Sequence, residues 1–247
     1  TDTVGRLCQL NAAAPVCGNT SASDSLLSVL QGYSPFGEKA QELVQAIRGI
    51  DGFNWGYDPQ HFIAPEGSYA SNPDGVARVT EVRAMNKALN DLGLRTVLDV
   101  VYNHTSTSGV STNSVFDKIV PGYYHRYNPV SGAMERSTCC ENTATEHRMF
   151  EKFMQDSMVI LVRDFGFNDF RYDVMGHHPK DSILATRDIV RSVTPDVYFY
   201  GEGWNFGEVA NNRLFVQAKQ QDMAGSGVGT FNDRLRDEVR DAVLFSN

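Results

Sequence analysis

The sequence predicts an α/β fold built on a parallel sheet. Three observations carry this. Apolar stripes at helical spacing alternate with short apolar runs, a glycine or proline separates most stripes from the run that follows, and the unit returns at intervals of about thirty residues. A chain of 247 residues is long enough for one or two domains.

The elements follow in order. Residues 1–35 are rich in Ala, Ser, Asn and Gly and carry one short helical candidate, Ser25–Leu30. They read as a surface excursion outside the regular core. A helix is predicted over Glu38–Arg48, stopped by Gly49. An aromatic and Gly/Pro-rich loop follows, from Phe53 through Asn54, Trp55, Gly56, Tyr57, Asp58 and Pro59 to Tyr69. From Asp74, Val76, Val79, Val82, Met85, Leu89 and Leu92 recur every three or four residues, one face of a helix that ends at Gly93. Leu94–Val101 then reads as a strand buried on both faces. The plan returns as a helix over Glu146–Asp164, with Met149, Phe150, Phe153, Met154, Val159 and Ile160 on its apolar side, and a strand over Phe167–Val174. A third pass gives a helix from Pro179, suited to a first turn, to Val193, and a strand over Val197–Tyr200. A weaker fourth unit gives helix Asn211–Gln220, strand Val228–Phe231 and helix Arg234–Leu244. The connection from Tyr102 to Thr145 spans about forty residues, a length that in compact domains usually marks function. It carries Tyr123, Tyr124, Tyr127 and the Cys139-Cys140 pair, too much apolar and crosslinking content for a floppy linker.

Composition excludes several classes. Twenty-two Lys and Arg, sixteen of them Arg, face 30 Asp and Glu for a net charge of −8, so there is no basic footprint for a nucleic-acid partner. Hydrophobic residues at 41% and charged residues at 21% describe a globular chain with a sizeable core. The longest apolar run, Met158–Val162, is far short of a membrane span, and residues 1–20 lack the basic start and apolar centre of a signal peptide. Four cysteines, Cys8, Cys17, Cys139 and Cys140, allow three disulfide connectivities that sequence cannot choose among. Local pairing in an oxidising compartment is favoured, and four reduced thiols are the alternative. No CxxC or paired CxxH spacing points to zinc.

Polar residues gather at one recurring place. Asp99 and His104 lie at or just beyond the end of the first strand, Asp173 ends the second and Glu202 the third. The last two are 29 residues apart, one βα unit, which puts them at equivalent positions on neighbouring strands about 4.8 Å apart. The carboxyl ends of parallel strands are where such folds bind ligands. Two carboxyl groups about 5–5.5 Å apart are what retaining glycoside hydrolysis needs, one as nucleophile and one as acid/base. Arg171, two residues before Asp173, projects to the same face and favours an ionised Asp173. Glu202, between glycines and beside Trp204, sits where acid work is favoured. Taken singly, such residues have plainer readings: strand-end caps for the acids, an ion pair for Arg171, core packing for Trp55, Tyr57 and Trp204. His177-His178 reads as hydrogen-bonding loop residues before it reads as a metal site. The Gly225–Gly229 stretch misses the dinucleotide pattern, with Thr230 at the last glycine.

Four motifs in order resemble the pullulanases of the α-amylase family of glycoside hydrolases. They are Asp99-Val100-Val101-Tyr102-Asn103-His104, Phe170-Arg171-Tyr172-Asp173-Val174-Met175-Gly176-His177-His178, Gly201-Glu202-Gly203-Trp204, and the Asn54-Trp55-Gly56-Tyr57-Asp58-Pro59 segment that separates pullulanases from α-amylases. The likeness runs from about Arg6 to the C-terminus, vicinal cysteines included, and is nearest to large secreted bacterial enzymes. It implies a partial (β/α)8 TIM barrel, roughly strands 3 to 6 with their helices and long loops. Residues 1–50 become a disulfide-held excursion and 51–247 the central part of the catalytic domain. It implies Asp173 as nucleophile, Glu202 as acid/base, Arg171 and His104 binding the sugar that is cleaved, Tyr57 stacking beneath it, and Asp58, His178 and Trp204 contacting substrate, with Asp99 structural. Asn103 matches a calcium ligand of many α-amylases, so calcium enters as a structural candidate; the chemistry itself needs no cofactor. The expected substrate is an α-glucan with α-1,6 branch points, and the expected location is secreted or at a bacterial cell surface, the parent carrying a lipid anchor in some versions. The family's fourth motif, whose His-Asp pair holds a third carboxylate, has no match; Asn232-Asp233-Arg234 lacks the pattern. That gap and the count of four strands predict an internal piece of a longer enzyme. Rival readings are an α-1,4-active amylase or amylopullulanase, and a non-catalytic α-glucan-binding relative.

Overall fold

The computed structural model describes residues 3–48 and 55–241. The predicted stop at Gly49, the loop residues Phe53 and Asn54, and the tail of the last helix beyond 241 lie outside the described residues. The chain divides into two compact units, Thr1–Gly56 and Tyr57–Asn247.

The first unit holds more regular structure than its composition suggested. Helices α1 (Val4–Leu10), α2 (Leu26–Gln31) and α3 (Lys39–Arg48) are present. The Thr3 and Ser25 side chains accept from the N–H groups of Arg6 and Ser28 and so cap α1 and α2. Val4, Leu7, Ala14, Val16 and Leu43 form a small core, with both cysteines of the Cys8–Cys17 disulfide packed against it. These residues thus pack on a small cluster of their own, separate from the main core. Seven residues, Val4–Leu10, made too short an apolar pattern to declare α1 in advance.

In the second unit, helix α4 (Ala77–Asp91) leads into strand β1 (Val97–Val100). The long connection contributes β2 (His104–Thr105), the turn α5 (Phe116–Ile119) and β3 (Glu141–Asn142), which pairs antiparallel with β2. Helix α6 (Arg148–Arg163), strand β4 (Asp169–Tyr172), helix α7 (Lys180–Val193), strand β5 (Tyr198–Gly201), strand β6 (Gly229–Thr230) and helix α8 (Asp233–Asp241) follow. The main sheet is parallel in the order β1-β4-β5-β6. Among the described residues, no helix is long and apolar enough to cross a membrane.

The helix-facing side of the sheet is the core. Phe170, Tyr172 and Phe199 are fully buried with Phe150, Met154 and Met158 of α6 and Ile183 and Val190 of α7; each such side chain contributes about 1.5–3 kcal/mol by leaving water. Alternation along β4 then sends Arg171 to the opposite face.

Three expectations change here. β1 is not buried on both faces: it is an edge of the described sheet, and Val97 is 44% exposed. On α4 the stripe is only half used, because Val79 and Val82 pack on the core while Val76, Met85 and Leu92 are exposed. Asn86 is buried instead, donating to the Phe165 carbonyl at 2.9 Å. Asn211–Gln220 is not a helix. Asn211 and Asn212 take φ of 59° and 60°, a region that asparagine tolerates. Asn212 and Gln217 also exchange side-chain to backbone hydrogen bonds at 2.9 and 3.2 Å, the competition that keeps such residues out of helices.

Candidate active site

Register places the acids. β4 pairs with β5 from Asp169↔Tyr198 to Tyr172↔Gly201, the same 29-residue offset that separates Asp173 from Glu202. The Glu202 N–H donates to the Tyr172 carbonyl at 3.1 Å, and the Asp173 N–H to the Val100 carbonyl at 2.9 Å. Both acids therefore sit one step past the ends of adjacent strands.

Arg171 gathers them. Its guanidinium reaches Asp99 Oδ1 at 2.7 Å and Asp173 Oδ1 at 3.1 Å through Nη1, and Glu202 Oε1 at 2.8 Å through Nη2. The cation lies beside the Tyr57 and Phe231 rings, 5.7 and 5.6 Å from their centroids, a contact that favours a planar guanidinium. Asp173 Oδ2 accepts from Asn103 Nδ2 at 2.8 Å, and the same nitrogen bonds the Asp173 carbonyl at 3.0 Å. Glu202 Oε2 accepts from the Val174 N–H at 3.0 Å. Val174 has φ 41°, a left-handed conformation that β-branched residues rarely adopt; strain of this kind concentrates at functional sites. Sequence reasoning assigned the cation to Asp173 alone and separated the acids by environment. The structure corrects this, because one guanidinium touches both.

The first strand end completes the wall. The Tyr57 hydroxyl donates to Asp99 Oδ2 at 2.8 Å, and this bond to a carboxylate holds the phenol pKa above its ordinary value. His104 Nδ1 meets Asn103 Oδ1 at 2.7 Å and its Nε2 meets the Tyr57 carbonyl at 2.7 Å. Asp58 Oδ1 lies 3.6 Å from that Nε2. Cys139 and Cys140 are bridged to each other, and the Cys139 sulfur is 3.3 Å from His104 Nε2. Tyr57, Asp58, Asp99, His104, Arg171, Asp173 and Glu202 thus lie together at the strand ends. Trp204 is partly buried beneath the Arg236 guanidinium, 5.8 Å away, and lines a cleft of about 480 Å³ with Phe206, Lys219 and Gln220.

His178 does not join them. It is fully buried on the helix side, its ring 5.7 Å from that of Tyr172 and its Nδ1 3.3 Å from the Met175 carbonyl. Burial pushes its pKa down to about 3, so it is a neutral core residue; the expected substrate contact is corrected. Asn103 does not fit calcium either. Its amide nitrogen faces Asp173 and its oxygen faces a ring nitrogen, whereas calcium takes six to eight oxygens.

Sequence reasoning missed Phe231 beside Arg171 and a buried ionic cluster behind the strand ends. Arg126, 4% exposed, bonds Glu146 Oε2 at 2.7 Å, Glu208 Oε1 at 2.6 Å and the His177 carbonyl at 3.3 Å. It thereby ties the long connection to the loops after β4 and β5. No sequence pattern announces it, because its members are scattered over more than eighty residues. Burial pushes the Glu208 carboxyl up, but bonds from Ser137, Arg126 and Asn142 outweigh this and hold it down at about 2. A depressed carboxyl contributes stability that is fully present above its unfolded value and is lost as pH falls. We expect the urea midpoint to drop between pH 4.5 and about 2, and Glu208→Gln to flatten that part of the profile. An unchanged profile in the variant would remove Glu208 from the acid response.

A parallel α/β sheet flanked by helices, whose strand ends carry an Asp, a Glu and an Arg between them, is the pattern of part of an α/β barrel. No family model matches the chain. The sequence is 43% identical over 244 residues to a pullulanase of Klebsiella aerogenes, covering 95% of this chain and 22% of that one. It is 45% identical over 219 residues to the chloroplastic pullulanase 1 of Arabidopsis thaliana, covering 85% and 23%. The crystal structure of Klebsiella pneumoniae pullulanase complexed with maltotriose superposes with a TM-score of 0.79 at 41% identity, covering 97% of this chain and 23% of that one. The chain belongs among the pullulanase homologues, and it spans about a fifth of the length of the relatives it matches.

Proposed function

We propose that the protein carrying this chain hydrolyses α-1,6-glucosidic branch linkages in pullulan, amylopectin, glycogen and limit dextrins with retention of configuration. The observation that carries this reading is the placing of Asp173 and Glu202 on one guanidinium from adjacent strand ends. Asp173 attacks the anomeric carbon while Glu202 gives its proton to the departing glycosidic oxygen, leaving a covalent glycosyl ester. Glu202 then takes a proton from water, whose oxygen displaces the carboxylate. Arg171 and Asn103 hold Asp173 ionised and aimed. Tyr57, His104 and Asp58 form the wall for the sugar, and Trp204 extends it toward the cleft. Asp99 orients Arg171 and Tyr57 from behind. A pullulanase relative holding maltotriose supports an α-glucan as the ligand. The two disulfides support an oxidising location, secreted or at the cell surface. We further assign 1–50 to an excursion and 51–247 to the catalytic domain.

The test is product analysis. The full-length protein given pullulan should release maltotriose, the signature of α-1,6 cleavage. Panose or isopanose with α-1,6 bonds intact would make it an α-1,4 amylase, and no reducing ends at all would make it a binding protein.

A further inference from the structure

We propose that Asp58, His104, Cys139 and Cys140 form a binding site for a soft divalent cation, Zn²⁺ or Cd²⁺, which exists only when the Cys139–Cys140 bridge is reduced. One donor atom from each of the four lies within 4.8 Å of the others. Two thiolates, an imidazole and a carboxylate are the donor types that zinc takes in tetrahedral sites. Asp58 is exposed, with 62% of its side chain open to solvent, so an ion reaches the group without opening the fold.

The imidazole is prepared for the role. Asn103 Nδ2 is fixed by its two bonds to Asp173, which turns Asn103 Oδ1 toward His104 Nδ1. Nδ1 therefore carries a proton, and a metal-binding histidine characteristically donates its second ring N–H in this way. Nε2 is the nitrogen that faces Asp58 and Cys139. The Tyr57 carbonyl accepts from Nε2 at 2.7 Å, so a cation there must displace the Nε2 proton together with that contact before the coordinate bond forms.

The chemistry balances with a dithiol as the reductant. The dithiol supplies two electrons and two protons and closes to its own cyclic disulfide, leaving Cys139 and Cys140 as thiols. The cation then displaces three protons, one from each sulfur and the one that His104 Nε2 gives to the Tyr57 carbonyl. While bridged, the sulfurs have no thiolate to offer, so the disulfide keeps a nearly complete donor set beside the strand-end acids from capturing a metal. Occupation would tie down His104 and Asp58 and inhibit the proposed hydrolysis. That consequence rests on the proposed function; the binding itself does not.

The experiment titrates Cd²⁺ into the full-length protein before and after treatment with a dithiol that is then removed. It reads cadmium–thiolate charge-transfer absorption and calorimetric stoichiometry, with near-ultraviolet circular dichroism reporting the fold. The expected result is one additional Cd²⁺ per chain after reduction, released on reoxidation. Cys139→Ser/Cys140→Ser should abolish it although Cys8 and Cys17 are still reduced, and His104→Gln, which removes a ligand, should weaken it by at least the roughly 10–100-fold that loss of an outer partner costs. Uptake that is absent, equal before and after reduction, retained by the double serine variant, indifferent to His104→Gln, or accompanied by loss of the native dichroism overturns the proposal. Pullulan hydrolysis measured in parallel separates the two readings, since the site can bind cadmium in a protein with no debranching activity.

Discussion

Asp173→Asn in the full-length protein is expected to lower pullulan hydrolysis by at least about 10⁴-fold, because it removes the carboxylate that forms the covalent intermediate. Glu202→Gln should also lose about 10²–10⁴-fold on pullulan, but for a different reason, and a second substrate exposes the difference. The fluoride ion of a glycosyl fluoride departs without needing a proton. Glu202→Gln should therefore recover a burst of fluoride release, while Asp173→Asn stays silent on both substrates. The wall of the site survives either change, since Arg171 keeps Asp99 as a partner and Asn103 still bonds the residue 173 carbonyl. Near-normal turnover in Asp173→Asn would dismiss the mechanism. The reverse pattern with the fluoride would exchange the two roles.

That pair was legible in the sequence for a simple reason. Parallel strands joined by βα units of equal length carry their register in the residue count, so an offset of 29 fixes neighbours across β4 and β5 without any side-chain knowledge. Alternation likewise fixed Arg171 on the face of Asp173. What could not be read was how far a seven-atom side chain reaches. Arg171 spans three strand ends, and only coordinates show one guanidinium on Asp99, Asp173 and Glu202. His178 came from the motif likeness and not from register; it lies past the left-handed Val174, where strand alternation no longer tells which face a residue takes. The Arg126 cluster and the packing of α1 depend on pairings across long separations, where no local period exists to be detected.

A second large effect is expected from a single methyl group. The Gly176 backbone lies against the segment that follows Glu202: its N–H donates to the Glu202 carbonyl at 3.0 Å, and Gln217 Nε2 donates to its carbonyl at 2.9 Å. A Cβ on residue 176 would stand 2.0 Å from the Trp204 carbonyl oxygen, well inside van der Waals contact, and the nearest atoms are all Trp204 backbone with no rotamer to yield. The loops after β4 and β5 must then separate by more than about 1 Å, carrying Glu202 away from the Val174 N–H and Arg171. Gly176→Ala should cost about 3 kcal/mol in urea denaturation as an overpacked site and lower kcat by about 10²-fold through misplacement of the acid. Gly93→Ala is the control. Gly93 has φ of 78° with open space around it, so alanine there meets only backbone strain of about 1–2 kcal/mol and should leave kcat unchanged. If Gly176→Ala kept wild-type kcat, or if the two variants lost kcat equally, close backbone approach at 176 would have no part in aligning the acids.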